Sequence, residues 1–264
     1  MSRAPQSRVI PKIVHYVWVG PRPFPADAQA RVDAWRRLLP DYQFMLWDEQ
    51  SIDFTPRFVR QAYGVGAYNR VANYARMAAL NQFGGVYMDH DVELLKSYGP
   101  MLEDGFFAGF QTMDAEAIDI VNNAVVGSVP GHPIVRAVLA ALDERNGADE
   151  VGSGTGPGML SAVLRTYGPI APQSEPLAFH GAKLYPPRYF YPYEWFEEFS
   201  PDCVTPDTFA VHYWAALWKG PRMESVMGAK IQRRLTTANP TLAAFYRRLR
   251  NLHSKRAAAA LAAV

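Results

Sequence analysis

The stretch Asn73-Tyr74-Ala75-Arg76-Met77-Ala78-Ala79-Leu80-Asn81-Gln82-Phe83-Gly84-Gly85-Val86-Tyr87-Met88-Asp89-His90-Asp91-Val92 decides the fold. Met77, Ala78, Ala79 and Leu80, with few breakers around them, predict a helix. Gly84-Gly85 stops it, because glycine readily takes the positive φ that a helix C-cap needs. Val86-Tyr87-Met88 is an apolar run of strand formers, too short for a second helix. A strand that ends in Asp-His-Asp delivers its acids to the C-terminal edge of a sheet, where open α/β folds bind ligands. Continued alternation puts Asp89 and Asp91 on one face and His90 on the other. Two carboxylates so close repel unless a cation lies between them or one is protonated, and hard oxygen ligands select Mg²⁺ or Mn²⁺.

Outward from this unit the chain alternates. Ile10 to Gly20 reads as a first strand, with Trp18 at its end near the edge where the acids arrive. A flat indole there would stack on a nucleobase, whereas an isolated tryptophan more often belongs to the core. Asp27 to Leu38 reads as a helix, Tyr42 to Trp47 as a strand and Arg57 to Ala62 as a short helix. Strand, helix, strand, helix, helix, strand is the order of a parallel sheet with covering helices. Phe106 to Phe110 and Asn123 to Ser128 are further strands, and His132-Pro133 opens a helix through Leu142. The run Gly152 to Gly158 carries too many glycines for regular structure, and the helix Met159 to Arg165 follows it. Such a loop lets backbone approach a ligand closely or serves as a plain connector. Tyr185 to Phe199, dense in proline and aromatics, is a fixed irregular segment, and Phe209 to Trp214 is a last short strand.

The chain of 264 residues is long enough for one large α/β domain with a substantial core. Its one cysteine, Cys203, leaves no intrachain disulfide and no Cys-based zinc site, which fits a reducing compartment. The polar start, Met1 to Arg8, has no apolar segment behind it that would read as a signal peptide, and no apolar run of about 20 residues would span a bilayer. A cytoplasmic protein is expected. The net charge of +2 hides an asymmetry: residues 219–256 carry ten Lys/Arg against Glu224 alone, while the first 218 residues hold 17 bases and 24 acids. The basic end, two helices split at Asn239-Pro240, suits an anionic surface, so peripheral contact with the inner membrane leaflet is expected; a nucleic-acid partner is not. The organisation expected is a tail over 1–9, one domain over 10–220 and a helical extension over 221–264.

With these residues placed, the chain resembles the glycosyltransferases of family 32, the group of yeast-type α-mannosyltransferases and many bacterial capsule or lipopolysaccharide transferases, with the glucosylating clostridial toxins as distant relatives. The resemblance spans roughly residues 10–220 and rests on an ordered series: Pro11 to Gly20, Trp47-Asp48, Arg76 with Gly84 to Asp91, Asn123-Ala124, Pro130 to Pro133, Thr155-Gly156-Pro157, and His212-Tyr213-Trp214 with Trp218. It implies a GT-A fold, a Rossmann-like nucleotide-sugar domain, that uses Mn²⁺ or Mg²⁺ to move a hexose or N-acetylhexosamine from a nucleotide diphosphate sugar, UDP favoured, with retention. The acceptor implied is a glycan or lipid-linked sugar, in surface polysaccharide synthesis.

By match of position, Val17 and Trp18 would hold the base and Asp89 the ribose and donor sugar. Asp91 would hold the metal together with Asp89 and His212, and Arg76 would hold the donor's sugar or diphosphate. Trp218 would close over the donor with Lys219 as an extra cation, and Asn123, Thr155 and Gly156 would line the substrate. Two positions depart from the family. Asn73 stands where an acid usually binds the donor sugar, and Leu217 where a serine hydroxyl would reach the metal. These departures motivate a second reading, a relative that binds nucleotide sugar without turning it over. A third reads Asp89-His90-Asp91-Val92 as the nucleophile strand of a haloacid-dehalogenase-like phosphatase, although that motif should open the fold. A glycosidase fits least, since its acids should face each other about 5 Å or more apart across a cleft.

Overall fold

A computed structural model describes residues 9–148, 152–195 and 197–215. Trp218, Lys219, Leu217 and the basic extension lie outside them, and among the described residues no helix is long and apolar enough to cross a membrane. The elements are β1 (Ile13–Val17), α1 (Ala26–Leu38), β2 (Gln43–Trp47), α2 (Arg57–Gly64), α3 (Tyr68–Phe83), β3 (Gly85–Met88), β4 (Val92–Leu94), β5 (Phe106–Phe110), β6 (Val121–Ser128), α4 (Pro133–Asp143), α5 (Pro157–Tyr167), β7 (Leu177–Phe179), β8 (Ala182–Tyr185) and β9 (Ala210–His212).

Seven strands form one sheet in the order β2-β1-β3-β6-β5-β8-β7, and β4 pairs with β9 apart from it. The expected parallel arrangement holds for β2-β1-β3. Beyond β3 the sheet is mixed: β6 runs antiparallel to both β3 and β5, β8 is parallel to β5, and β7 is antiparallel to β8. The reason is the connections. α3 carries the chain back across the sheet before β3, as a parallel crossover requires, whereas no helix separates β5 from β6. The run Gly152–Thr155 forms a single 3-10 turn ahead of α5.

Side-chain alternation sorts the strands' residues into two cores. Tyr87, Phe106, Ala108, Phe110 and Val126 pack on the side of α2, α3, α4 and α5. Val14, Tyr16, Val86, Met88, Phe107 and Val125 pack with Trp35 of α1 and with Tyr98, Phe190 and Tyr191. Trp35 also donates its indole N–H to Val92 O at 3.0 Å, which ties α1 to β4.

The hinge between α3 and β3 is fixed by the two glycines. Gly84 and Gly85 have φ of +66° and +99°. A Cβ on Gly85 would lie 2.6 Å from Ile13 O, and one on Gly84 would lie 2.8 Å from Ser128 O, so the helix turns directly into a central strand only because neither residue has a side chain. His15 locks this corner. Its Nε2 pairs with Gly84 O at 2.7 Å, and its Nδ1 accepts from the Trp47 indole at 3.1 Å. This assigns a neutral ring with the proton on Nε2. Burial pushes its pKa down to about 4, against the Gly84 carbonyl that favours the charged form, so the ring is a satisfied core histidine.

Candidate metal and donor site

The ends of β1, β3 and β5 and the start of β6 share one edge of the sheet, since β1 and β3 are parallel and β6 is antiparallel to β3 and β5. Asp89 leaves β3 there, with its N–H donating to Ala124 O at 2.8 Å. The extended alternation expected for Asp-His-Asp does not occur. Val92 N donates back to Asp89 O at 3.0 Å, so residues 89–92 form a turn between β3 and β4. The turn, rather than a two-residue period, brings both carboxylates together, because β4 must leave the sheet to pair with β9.

The third member comes from the far end of the described chain. His212 Nε2 lies 3.2 Å from Asp91 Oδ1 and 4.0 Å from Asp89 Oδ2. One ligand atom from each of Asp89, Asp91 and His212 falls within a 4.8 Å cluster. Ligands about 2.1 Å from one ion are about 3 Å apart when adjacent and about 4.2 Å apart when opposed, so the separations of His212 from the two acids suit a single small divalent cation. Two carboxylates and one imidazole suit Mn²⁺ or Mg²⁺ better than a thiophilic metal. The residues present therefore fit the ion that the sequence implies.

Electrostatics separate the two acids. Burial works against the Asp91 charge, but the His212 imidazole, its hydrogen bond, the nearby His90 and the Ala215 N–H together hold the carboxyl well below the usual range. Ala215 N donates to Asp91 Oδ2 at 2.8 Å, and Tyr213 N donates to Asp91 O at 3.0 Å. Burial likewise opposes a charged His212, while Asp91 and then Asp89 draw its pKa upward. A bound cation would take the place of that proton.

Asp89 is more open and faces α3. Its Oδ1 accepts from the Tyr87 hydroxyl at 2.7 Å and pairs with Arg76 Nη2 at 3.1 Å. Arg76 is buried, its Nη1 donates to Asn123 O at 2.5 Å, and its guanidinium lies 4.3 Å from the Tyr87 ring centroid. Tyr87 thus supports both partners from the preceding strand. The sequence holds a signal for it, since residues 87 and 89 share a face at the strand's end. Tyr191 and Trp214, which pack on His212, carry no such signal.

The remaining sequence-predicted residues divide into two groups. Asn73 Nδ2 donates to Thr155 Oγ1 at 3.2 Å, and Asn73 Oδ1 accepts from Asn123 Nδ2 at 3.3 Å, which joins α3, β6 and the turn before α5. Gly156 packs on the same amide: a Cβ there would lie 3.1 Å from Asn73 Nδ2. On the other flank, Val17 is buried in the core and Trp18 is half-buried. Trp18 donates its indole N–H to Arg22 O at 2.7 Å and meets His90 edge-on at 5.1 Å. The structure therefore gathers Trp18, Asn73, Arg76, Asp89, Asp91, Asn123, Thr155, Gly156 and His212 along one edge.

Residues 25–107 match the family described as "Glycosyltransferase sugar-binding region containing DXD motif". An uncharacterized glycosyltransferase of Acanthamoeba polyphaga mimivirus is 26% identical over 167 residues, covering 60% of this chain and 66% of that protein. Inositol phosphoceramide mannosyltransferase 3 of Schizosaccharomyces pombe is 31% identical over 147 residues, 52% of this chain and 38% of that one. Lactosylceramide 4-alpha-galactosyltransferase of Homo sapiens is 25% identical over 169 residues, 60% of this chain and 45% of that one. The chain thus spans less than two thirds of the length of these relatives. Among solved structures, the PaToxG glycosyltransferase superposes with a TM-score of 0.50 at 18% identity, covering 60% of this chain and 70% of that one, which supports the fold. The phosphatase reading falls with the topology: its acid-bearing strand should come first, and here β3 follows two strands and three helices. The GT-A architecture, the match over residues 25–107 and the similarity to these glycosyltransferases all support the resemblance to glycosyltransferase family 32.

Proposed function

We propose that this chain is a divalent-metal-dependent transferase that moves a hexose or N-acetylhexosamine from a nucleotide diphosphate sugar, UDP favoured, to a hydroxyl of a glycan or lipid-linked acceptor. The observation that carries the reading is the meeting of Asp89, Asp91 and His212 within 4.8 Å, beside the buried cation of Arg76. A metal bound by the three would neutralise charge that develops on the departing diphosphate. Arg76, held by Asn123 O and Asp89, supplies a fixed positive charge that needs no reorganisation during reaction. Trp18 gives the base a flat surface, and the amides of Asn73 and Asn123 with the Thr155 hydroxyl offer neutral donors and acceptors to sugar hydroxyls.

Retention by same-face attack is the stereochemistry this arrangement supports. Asp89 is engaged by Arg76 and Tyr87, and Asp91 by His212 and the Ala215 N–H, so neither is free to attack an anomeric carbon. The departing phosphate then serves as the base for the acceptor. Relatives named for inositol phosphoceramide and lactosylceramide set glycolipids beside glycans as the acceptor class, and a role in surface polysaccharide synthesis belongs to the same proposal.

A panel of nucleotide sugars assayed for diphosphate release, with Mn²⁺ and with a chelator, tests it. One donor should release its nucleoside diphosphate, slowly to water and faster with acceptor, and chelation should stop both. The competing reading, a binder without turnover, draws on Asn73. Its signature is a donor that raises the melting temperature, as any ligand of the native state does, yet releases no diphosphate under any condition.

A further inference from the structure

We propose that Trp214 orients His212 for metal binding, in place of the hydrogen bond that a ligating imidazole ordinarily makes through its second nitrogen. The inference rests on the metal reading above and adds a residue to it. Metal-binding histidines are normally fixed by a carboxylate, carbonyl or water at the nitrogen away from the ion. Here Nε2 faces the two acids, and Nδ1 is buried with no hydrogen-bond partner among the described residues. Some other contact must set the ring's tilt.

That contact is aromatic. The Trp214 ring centroid lies 4.4 Å from that of His212, and Tyr191 meets the imidazole edge-on at 5.8 Å. The indole is itself anchored, because its N–H donates to Tyr193 O at 3.2 Å and its ring lies 5.8 Å from Tyr191. The imidazole is held by fixed ring surfaces rather than by a polar tether.

The backbone at Trp214 carries a second, independent sign. Its φ is +55°, a left-handed conformation that is strained for a bulky side chain. Straddling this residue, Tyr213 N binds Asp91 O at 3.0 Å and Ala215 N binds Asp91 Oδ2 at 2.8 Å. The left-handed turn is what aims the second N–H at the carboxylate. One residue therefore positions two ligands, His212 through its ring and Asp91 through its backbone.

Mn²⁺ affinity, measured by electron paramagnetic resonance on the full chain, separates the two contributions. Trp214→Phe keeps an aromatic ring against the imidazole and should bind within about threefold of the parent. Trp214→Gly keeps the turn and loses the ring; it should bind about tenfold more weakly. Trp214→Leu keeps bulk without a ring and retains the strained turn, so it should weaken binding by about ten- to a hundredfold. Cooperative melting identifies the folded variants, and either variant without a ring suffices for the comparison with Phe. Folded Gly or Leu variants that bind Mn²⁺ within twofold of the parent overturn the inference while leaving the metal reading intact. A parent that takes up no Mn²⁺ overturns both.

Discussion

Asp91→Asn is expected to lower transfer by about a thousandfold, the factor that roughly 4 kcal/mol of lost charge stabilisation corresponds to. The carboxylate is buried, yet it is kept ionised by His212 at 3.2 Å and by the Ala215 N–H at 2.8 Å. Asparagine has the same shape but offers a neutral oxygen and an N–H₂ group, so a cation loses its innermost negative ligand. The fold should survive. The β4–β9 pairing and the Tyr213 N–H to Asp91 O bond use backbone atoms that the substitution keeps. Turnover, Mn²⁺ affinity and melting temperature measured on one preparation check this. Transfer within a few-fold of the parent would remove Asp91 from the chemistry.

Arg76→Met should be the second severe change, and it should act on stability as well. The guanidinium is buried and serves four partners: Asp89 Oδ1, Asn123 O, Ala72 O and the Tyr87 ring. Without it, Asn123 O loses its donor, and Asp89 keeps only the Tyr87 hydroxyl on that oxygen. Breaking one side of a buried ion pair costs about 3 to 5 kcal/mol, and Asp89's partial exposure puts the expected loss at the lower end of that range. Transfer should fall by about a hundredfold or more through loss of a preorganised cation. Arg76→Lys retains the charge but not the planar fork, so one ammonium cannot meet both oxygens and lie flat on the ring. Its turnover should fall between those of the parent and the methionine variant. Urea melts and initial rates at saturating donor measure the two effects, and an Arg76→Met protein as stable and active as the parent would contradict the assignment.

The parts of the site legible in the sequence are those carried by local pattern. Gly84-Gly85 announced the helix-to-strand hinge because no other residue fits two successive positive φ values pressed against Ile13 and Ser128. The two acids of the DXD segment were found by position, although their convergence comes from a turn and not from strand alternation. What pattern alone could not supply was pairing. β4 is three residues long and leaves the sheet to join β9, some 120 positions later in the chain, and it is that pairing which delivers His212 to Asp91. β4, β7 and β8, of three, three and four residues, carry no strand expectation from the sequence. Tyr191 lies in an irregular segment and Trp214 just past β9, which ends at His212 rather than running to Trp214, and no spacing predicts which ring meets which. Asn73, read as a departure from an acid, proves to be tied to Thr155 and Asn123, a role that only tertiary neighbours reveal.

One divalent ion is expected where the turn after β3 meets His212. Anomalous diffraction at the manganese edge, from crystals grown with MnCl₂ and UDP, tests it most directly. A single strong peak bounded by Asp89, Asp91 and His212 is expected, with the diphosphate reaching toward Arg76. A nucleotide bound elsewhere, with no anomalous signal between those three side chains, would contradict it.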